Sequence, residues 1–299
     1  MSAHDITRLM IQSTLQKSLE DIAIGDHRAL RRLVDLGEHF SSSGLRRRFL
    51  NQAQDLLTNE ESAYYTLIQR LVQNTDREQL TQMGLCFGYE CLVCGVAKLR
   101  EEWTRGNPIS WQQELRFQEK TGIAPEDMET LVTQGESHGV RCYSLFIPQD
   151  ASVPILLDTT QAHLRSFFLL FVGEHSALNL KDALGRKNVL PLLPLSDAAR
   201  LRESAGSGYL FGAYAVYNET TYKQILDDSL LELALDRQTP FLFLLSETGC
   251  SLQTQHRVWN YIRQQRIQQQ WPLFPLEYKM DMAYIDQVVI PQSADGANP

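Results

Sequence analysis

The sequence predicts an α/β protein in which an all-helical segment precedes a parallel sheet covered on both faces, or a barrel. Three observations point there. Residues 4–103 carry apolar stripes at helical spacing and hold no proline. From about residue 124, short apolar runs alternate with helical stretches. Several of those runs, such as Phe241-Leu242-Phe243-Leu244-Leu245, are apolar at every position, as strands buried on two faces are. A hydrophobic share of 43% against 21% charged residues can supply the core,.

The elements are expected in the following order. Ile6, Leu9, Met10, Leu15 and Leu19 trace a first helical stripe. Leu30, Leu33, Val34 and Leu36 trace a second, and Phe49, Ala53, Leu56 and Leu57 a third. Ser41-Ser42-Ser43-Gly44 breaks the chain between the last two. Tyr64–Val72 and Gln79–Arg100 form two further helices, with N-caps offered by Asn74-Thr75-Asp76. Pro125–His138 is helical, with proline and acids in its first turn and Gly139 at its end. Strands follow at 140–147, 167–172, 189–193, 209–217 and 241–245, and a closing run at 273–276. Helices are expected near 179–184, 222–235 and 255–270. Pro191, inside a strand, demands an edge position or a bulge. The chain thus divides into a helical subdomain (1–104), an α/β part (105–290) and a tail (291–299).

A net charge of −8 denies a nucleic-acid role its usual electrostatic footprint,. The run Arg46-Arg47-Arg48 reads as a solvated helix face. Residues 1–25 mix charges through their apolar positions, unlike a signal peptide. No window reaches the roughly 18 continuous apolar residues of a membrane helix. A cytoplasmic location is expected, and five unevenly placed cysteines fit a reducing compartment better than a disulfide framework,.

Three groups could carry chemistry. Cys86-x4-Cys91-x2-Cys94 has spacing that can serve zinc or an iron–sulfur cluster, which need several soft ligands converging on the metal. On a 3.6-residue helix Cys91 and Cys94 share a face, whereas Cys86 lies about 140° from Cys91. No fourth cysteine or nearby histidine follows, and buried cysteine is also a common core residue. Glu136, His138, His163 and His175 could act as acids, bases or ligands. His175 is the best placed, just beyond the carboxyl end of a strand, and an exposed turn is its plain alternative. Ser204-Ala205-Gly206-Ser207-Gly208 is glycine-rich but lacks a Walker lysine, so a turn is expected. No nucleophile elbow and no His-Glu-x-x-His is present.

Three stretches carry a resemblance: Phe167–Glu174, Asn188–Ser196 and Gly208–Tyr214. In that order they resemble the middle strands of radical S-adenosylmethionine (SAM) proteins, in particular members with a helical N-terminal extension, to whose end Gly84–Arg100 is similar. The resemblance implies a partial (β/α) barrel. It also implies a Cys-x3-Cys-x2-Cys loop for a four-iron cluster after the first strand, yet residues 105–124 contain no cysteine. The Gly-Gly-Glu segment expected after the second strand is replaced by Ile147-Pro148-Gln149-Asp150. No catalytic residue therefore carries over, and the expectation is a radical-SAM-like protein without a cofactor that acts by binding, as a partner, scaffold or regulator. Two alternatives stand beside it. One is a metal or iron–sulfur redox enzyme built on Cys86, Cys91 and Cys94. The other is a small-molecule sensor using the barrel mouth, where the Pro148–Pro154 and Gly173–Ser176 loops would meet. A protein partner or self-association is expected, with no nucleic acid and no membrane. Residues 50–103 should pack on the barrel, leaving the first helix, Asp5–Glu20, for a partner or a second copy.

Overall fold

Seven short segments pair side by side, all parallel, in the order in which they occur in the chain. They are β1 (Gln112–Arg116), β2 (Cys142–Ile147), β3 (Phe167–Val172), β4 (Val189–Pro194), β5 (Gly212–Tyr217), β6 (Phe241–Ser246) and β7 (Phe274–Glu277). The computed structural model describes residues 3–40, 54, 57–117, 122–147, 153–174, 176 and 178–289. The Ser41–Gly44 break, the Arg46–Arg48 run, Phe49, Ala53, Leu56, His175 and the tail lie outside those residues.

Each step from strand to strand passes through a helix, and the sheet curls into a half-barrel with flanking helices. The curl is visible in one contact: Phe171 of β3 lies 5.2 Å from the ring of Tyr278, which follows β7. The architecture is the partial barrel that the resemblance implied. β3 and β4 are buried at every position, which explains their unbroken apolar sequence,.

Pro191 overturns its expected edge placement, because β4 is the central strand of the sheet. Register explains the tolerance. Leu195 donates its N–H to Tyr214 O on the β5 side, so by alternation Pro191 also faces β5, where pairing starts only at Leu192–Gly212. Pro194 faces β3, past the last pair, Phe171–Leu192. Each proline thus sits where no partner needs its missing N–H.

The helices are α1 (Ala3–Ala23), α2 (His27–Phe40), α3 (Ala63–Asn74), α4 (Arg77–Gly84), a π-helical segment (Leu85–Gly95) and α5 (Val96–Thr104) before the sheet. Within it come α6 (Met128–His138), α7 (Val153–Ala162), α8 (Leu180–Leu184), α9 (Ala198–Ala205), α10 (Lys223–Leu226), α11 (Ser229–Asp236) and α12 (Leu252–Gln268), and α13 (Tyr278–Val289) closes the series. The helix expected over 222–235 is two, broken at Asp228, whose φ of 67° is left-handed. Asp227 restarts the chain by accepting the Ser229 N–H. α7 was hidden by Pro154, which sits in its first turn, where proline is tolerated.

The N-terminal helices form a layer across the end of the half-barrel where the strands begin. Arg70 donates to Pro272 O ahead of β7, and Asp76 N–H donates to Gly208 O ahead of β5. Cys86 donates to Leu164 O ahead of β3, and Cys91 to Arg141 O ahead of β2. Gly95 and Gly139 interlock in this layer: a Cβ on Gly95 would stand 2.6 Å from Gly139 O, and Gly139 has φ 101°. α1 is not the detachable arm expected from its sequence. Ile11, Leu19 and Ile22 are buried, packed with Ala29 of α2, Val72 of α3, and Leu85 and Tyr89 of the π-helical segment. Arg77–Thr104 is the one continuous helix among the described residues long and apolar enough to cross a membrane by composition, and half of its apolar window is buried in this layer.

Gln79 is the polar hub of the layer. Its Nε2 donates to Leu184 O at 2.7 Å and to Arg186 O at 2.9 Å, and its Oε1 accepts the Leu210 N–H at 2.7 Å. Gln79→Leu should strand the buried Leu184 O and Leu210 N–H and the half-buried Arg186 O. Allowing about 1–3 kcal/mol for a stranded group and partial relaxation, we expect a loss of about 3 kcal/mol. Calorimetry should then show a melting temperature lower by about 5 °C.

Candidate functional site

Paired residues of parallel strands point to the same face, so the register fixes what lines the barrel interior. One row runs Arg116, Phe146, Phe171, Leu192 and Gly212 across β1 to β5. Above it stand Tyr214 and Phe243, then Val216 and Leu245. At the carboxyl ends of the strands Arg116, Phe146, Phe171, Tyr214, Val216 and Leu245 border a cavity of about 550 Å3, which Tyr278 and Lys279 also line. Carboxyl ends are where α/β folds place their ligands, and the volume suits a small molecule.

The floor is aromatic. Phe146 and Phe171 stack with centroids 4.4 Å apart and planes 5° from parallel. Tyr214 meets Phe171 edge-on at 5.7 Å, and Phe243 does so at 6.0 Å. The Arg116 guanidinium lies 4.0 Å over the Phe146 ring while donating to Glu114. Lys279, which also lines the cavity, donates to Ser246 O at 3.2 Å. Tyr214 donates to Val172 O, and burial pushes its pKa up to about 12, so it remains a neutral hydroxyl.

Behind the mouth, Glu277 is fully buried. It accepts the Tyr217 hydroxyl at 2.6 Å and the Met280 N–H at 2.7 Å. Burial holds its pKa above the ordinary glutamate value, with Asp281 adding to the rise. Asp281 is itself held by a two-pronged Arg266 contact at 2.8 Å and by the Trp259 indole.

The group implied by the resemblance does not fit these residues. Between β1 and α6 the chain reads Phe117-Gln118-Glu119-Lys120-Thr121-Gly122-Ile123-Ala124, with no thiol to hold iron. Among the described residues no cysteine lines the mouth. No step is therefore routed through a cluster or a bound SAM.

The sequence-selected residues lie elsewhere. Cys86 and Cys91 face the barrel layer, and Cys94 faces α1. Five-residue winding reverses the expected grouping, since i→i+5 geometry puts Cys86 and Cys91 on one side and turns Cys94 away,. Burial pushes the Cys86 thiol up to about 12 and Cys91 well above its ordinary value. Glu136 and His163 do come together: His163 sits 3.1 Å from both Glu129 and Glu136, and Glu136 also pairs with Arg141 at 2.7 Å and accepts from Ser166. Arg141 and Ser166 precede β2 and β3, so this network is at the end opposite the mouth and ties loops together. His138 lies 3.5 Å from Glu102. Ser204 and Ala205 end α9, and Gly206–Gly208 form the turn that accepts the Asp76 N–H, not a phosphate loop. Arg116, Tyr214, Tyr278 and Lys279 escaped sequence reading. Their signal was position at a strand end, which needs strand boundaries accurate to one residue.

No family model matches the chain, and no curated protein matches it. Among solved structures it is similar to SuiB from Streptococcus suis. SuiB bound to precursor peptide SuiA matches with TM-score 0.47 and 12% identity, over 75% of this chain and 68% of that one. SuiB alone matches with TM-score 0.45 and 13% identity, over 71% and 64%. SuiB bound to S-adenosylmethionine matches with TM-score 0.44 and 14% identity, over 71% and 65%.

Glu277 makes a pH prediction. Above the ordinary value of 4.5 the unfolded chain releases a proton that the folded chain still holds. Stability should therefore fall as pH rises from about 4.5 through the raised folded value, then level off. Urea midpoints across that range should show the fall in the parent chain and not in Glu277→Gln.

Proposed function

We propose that this chain is a radical-SAM-like protein without radical chemistry, which works by binding a small anionic aromatic or flat apolar ligand in the barrel mouth. The supporting observation is the mouth itself. A stacked aromatic floor offers flat faces, and Arg116 and Lys279 line the same cavity as cations. Apolar walls with a few convergent polar groups are the usual makeup of a ligand cavity. The ring over which Arg116 lies makes its charge directional rather than freely solvated. The reading extends to regulation: a ligand seated in the mouth would meet both Arg116 of β1 and Lys279 beyond β7.

The absence of thiols after β1 supports the non-catalytic part of the reading. A four-iron cluster needs three cysteines to leave one iron open for SAM, and the loop from Phe117 to Ala124 has none. The chain is accordingly expected to bind no iron–sulfur cluster.

1-Anilinonaphthalene-8-sulfonate, a flat aromatic anion, serves as the probe. The natively folded chain should bind it saturably with a Kd of about 10–100 μM. Val216→Trp, at an exposed rim position, should block the mouth and abolish the fluorescence gain at unchanged melting temperature. Arg116→Ala should weaken binding several-fold. Micromolar binding of SAM by calorimetry, or a stoichiometric cluster after anaerobic reconstitution with iron and sulfide, would overturn the reading.

A further inference from the structure

At the end opposite the mouth, three different ligand types converge. His4 of α1 and Glu90 and Cys94 of the π-helical segment bring their ligating atoms within 4.8 Å of one another. Glu90 and Cys94 are four residues apart, and π winding keeps both on the side that α1 covers.

Glu90 is a carboxylate with only 2% of its side chain exposed. Its two oxygens are divided. Oε1 accepts from Arg8 Nε at 3.1 Å, and Arg8 is steadied by Gln82. Oε2 is turned towards His4 Nε2 at 3.6 Å, beyond hydrogen-bond reach,. Cys94 Sγ lies 3.4 Å from the same His4 nitrogen. The other ring nitrogen, Nδ1, looks to Asp5 at 3.9 Å.

The two separations from His4 match edges of a coordination tetrahedron, and Glu90 and Cys94 lie within 4.8 Å of each other. Bonds of about 2.3 Å to sulfur and about 2.1 Å to nitrogen and oxygen at the tetrahedral angle put sulfur and nitrogen about 3.6 Å apart, and nitrogen and oxygen about 3.4 Å apart. We propose that His4, Glu90 and Cys94 bind a divalent ion of the zinc class, with water as fourth ligand. The ion pins the first turn of α1 to the π-helical segment. Mixed sulfur, imidazole and carboxylate donors suit zinc rather than magnesium or calcium. Arg8 orients the ligating carboxylate from the outer shell, and Asp5 lies on the side of the non-ligating imidazole nitrogen. His4 is one-third exposed, which leaves a path for the ion and room for the water. The thiol proton leaves to solvent on binding.

The set differs from Cys86, Cys91 and Cys94, and the site is independent of the mouth. The full chain, stripped with chelator and titrated with Co2+, should take up one equivalent. It should show thiolate-to-cobalt charge-transfer absorption and the intense visible bands of a four-coordinate ion, bleached by Zn2+. Cys94→Ser should abolish the charge-transfer band. His4→Gln should weaken Co2+ binding by more than about tenfold, since even outer-shell losses cost 10–100-fold. Both positions are partly exposed, and circular dichroism should confirm that both variants keep the native fold. Absence of the band in the parent chain would overturn the proposal, as would a band that survives Cys94→Ser or undiminished affinity in His4→Gln.

Discussion

A parallel sheet that stops before closing leaves a gap between its first and last strands, and the interior behind that gap must be filled. In this protein α13 fills it. The helix starts at the carboxyl end of β7 and runs down the open side to the start of β1. There Asp286 accepts the Trp111 N–H and the Ser110 hydroxyl, and the Trp111 indole donates to Met282 O. Arg100 of the N-terminal layer holds the helix end through Val289 O. At the other end Tyr278 enters the interior and accepts from Gln112 of β1. One helix thus supplies the missing wall, covers two sheet edges and sets the depth of the mouth.

The opposite end depends on polar closure. Loops entering parallel strands carry carbonyls that the sheet does not use, and burying them unpaired would cost about 1–3 kcal/mol each. The helical layer answers with side chains at the entries to β2, β3, β4 and β7: Cys91, Cys86, Gln79 and Arg70 each meet a loop carbonyl. The π winding has a physical purpose in this setting. It aims Cys86 and Cys91 at neighbouring entries, which an α-helical spacing would have turned apart. Asn188 does the same from the turn just before β4, donating to three carbonyls, of Thr160, His163 and Ser166.

Much of the fold was legible because burial on both sides leaves a strong mark. β3 was readable to the residue, and β2, β4 and β6 nearly so. β1, Gln112–Arg116, was not, since a strand reading Gln-Gln-Glu-Leu-Arg at a sheet edge looks like a loop. α13 was missed because it follows β7 with no breaker, Tyr278 coming directly after Glu277. The cysteine cluster was legible as a cluster but not as geometry. Only the winding of the backbone decides which thiols share a face, and sequence spacing assumes an α-helix. The His4–Glu90–Cys94 group spans 90 residues of sequence, so no local spacing could reveal it.

The aim of the side chains at the mouth does not depend on the loops above them. Side chains at strand ends are set by register, so the interior row keeps its aim whatever the loops above contain. Phe146 and Phe171 are held by the sheet, and Arg116 by Phe146 and Glu114. None of these contacts requires a thiol in the loop after β1. The sheet can therefore lose the residues that hold a reactive group and still present an ordered, charged and aromatic cavity. Fold alone does not assign function. At the strand ends the fold presents flat aromatic faces beside two cations, Arg116 and Lys279.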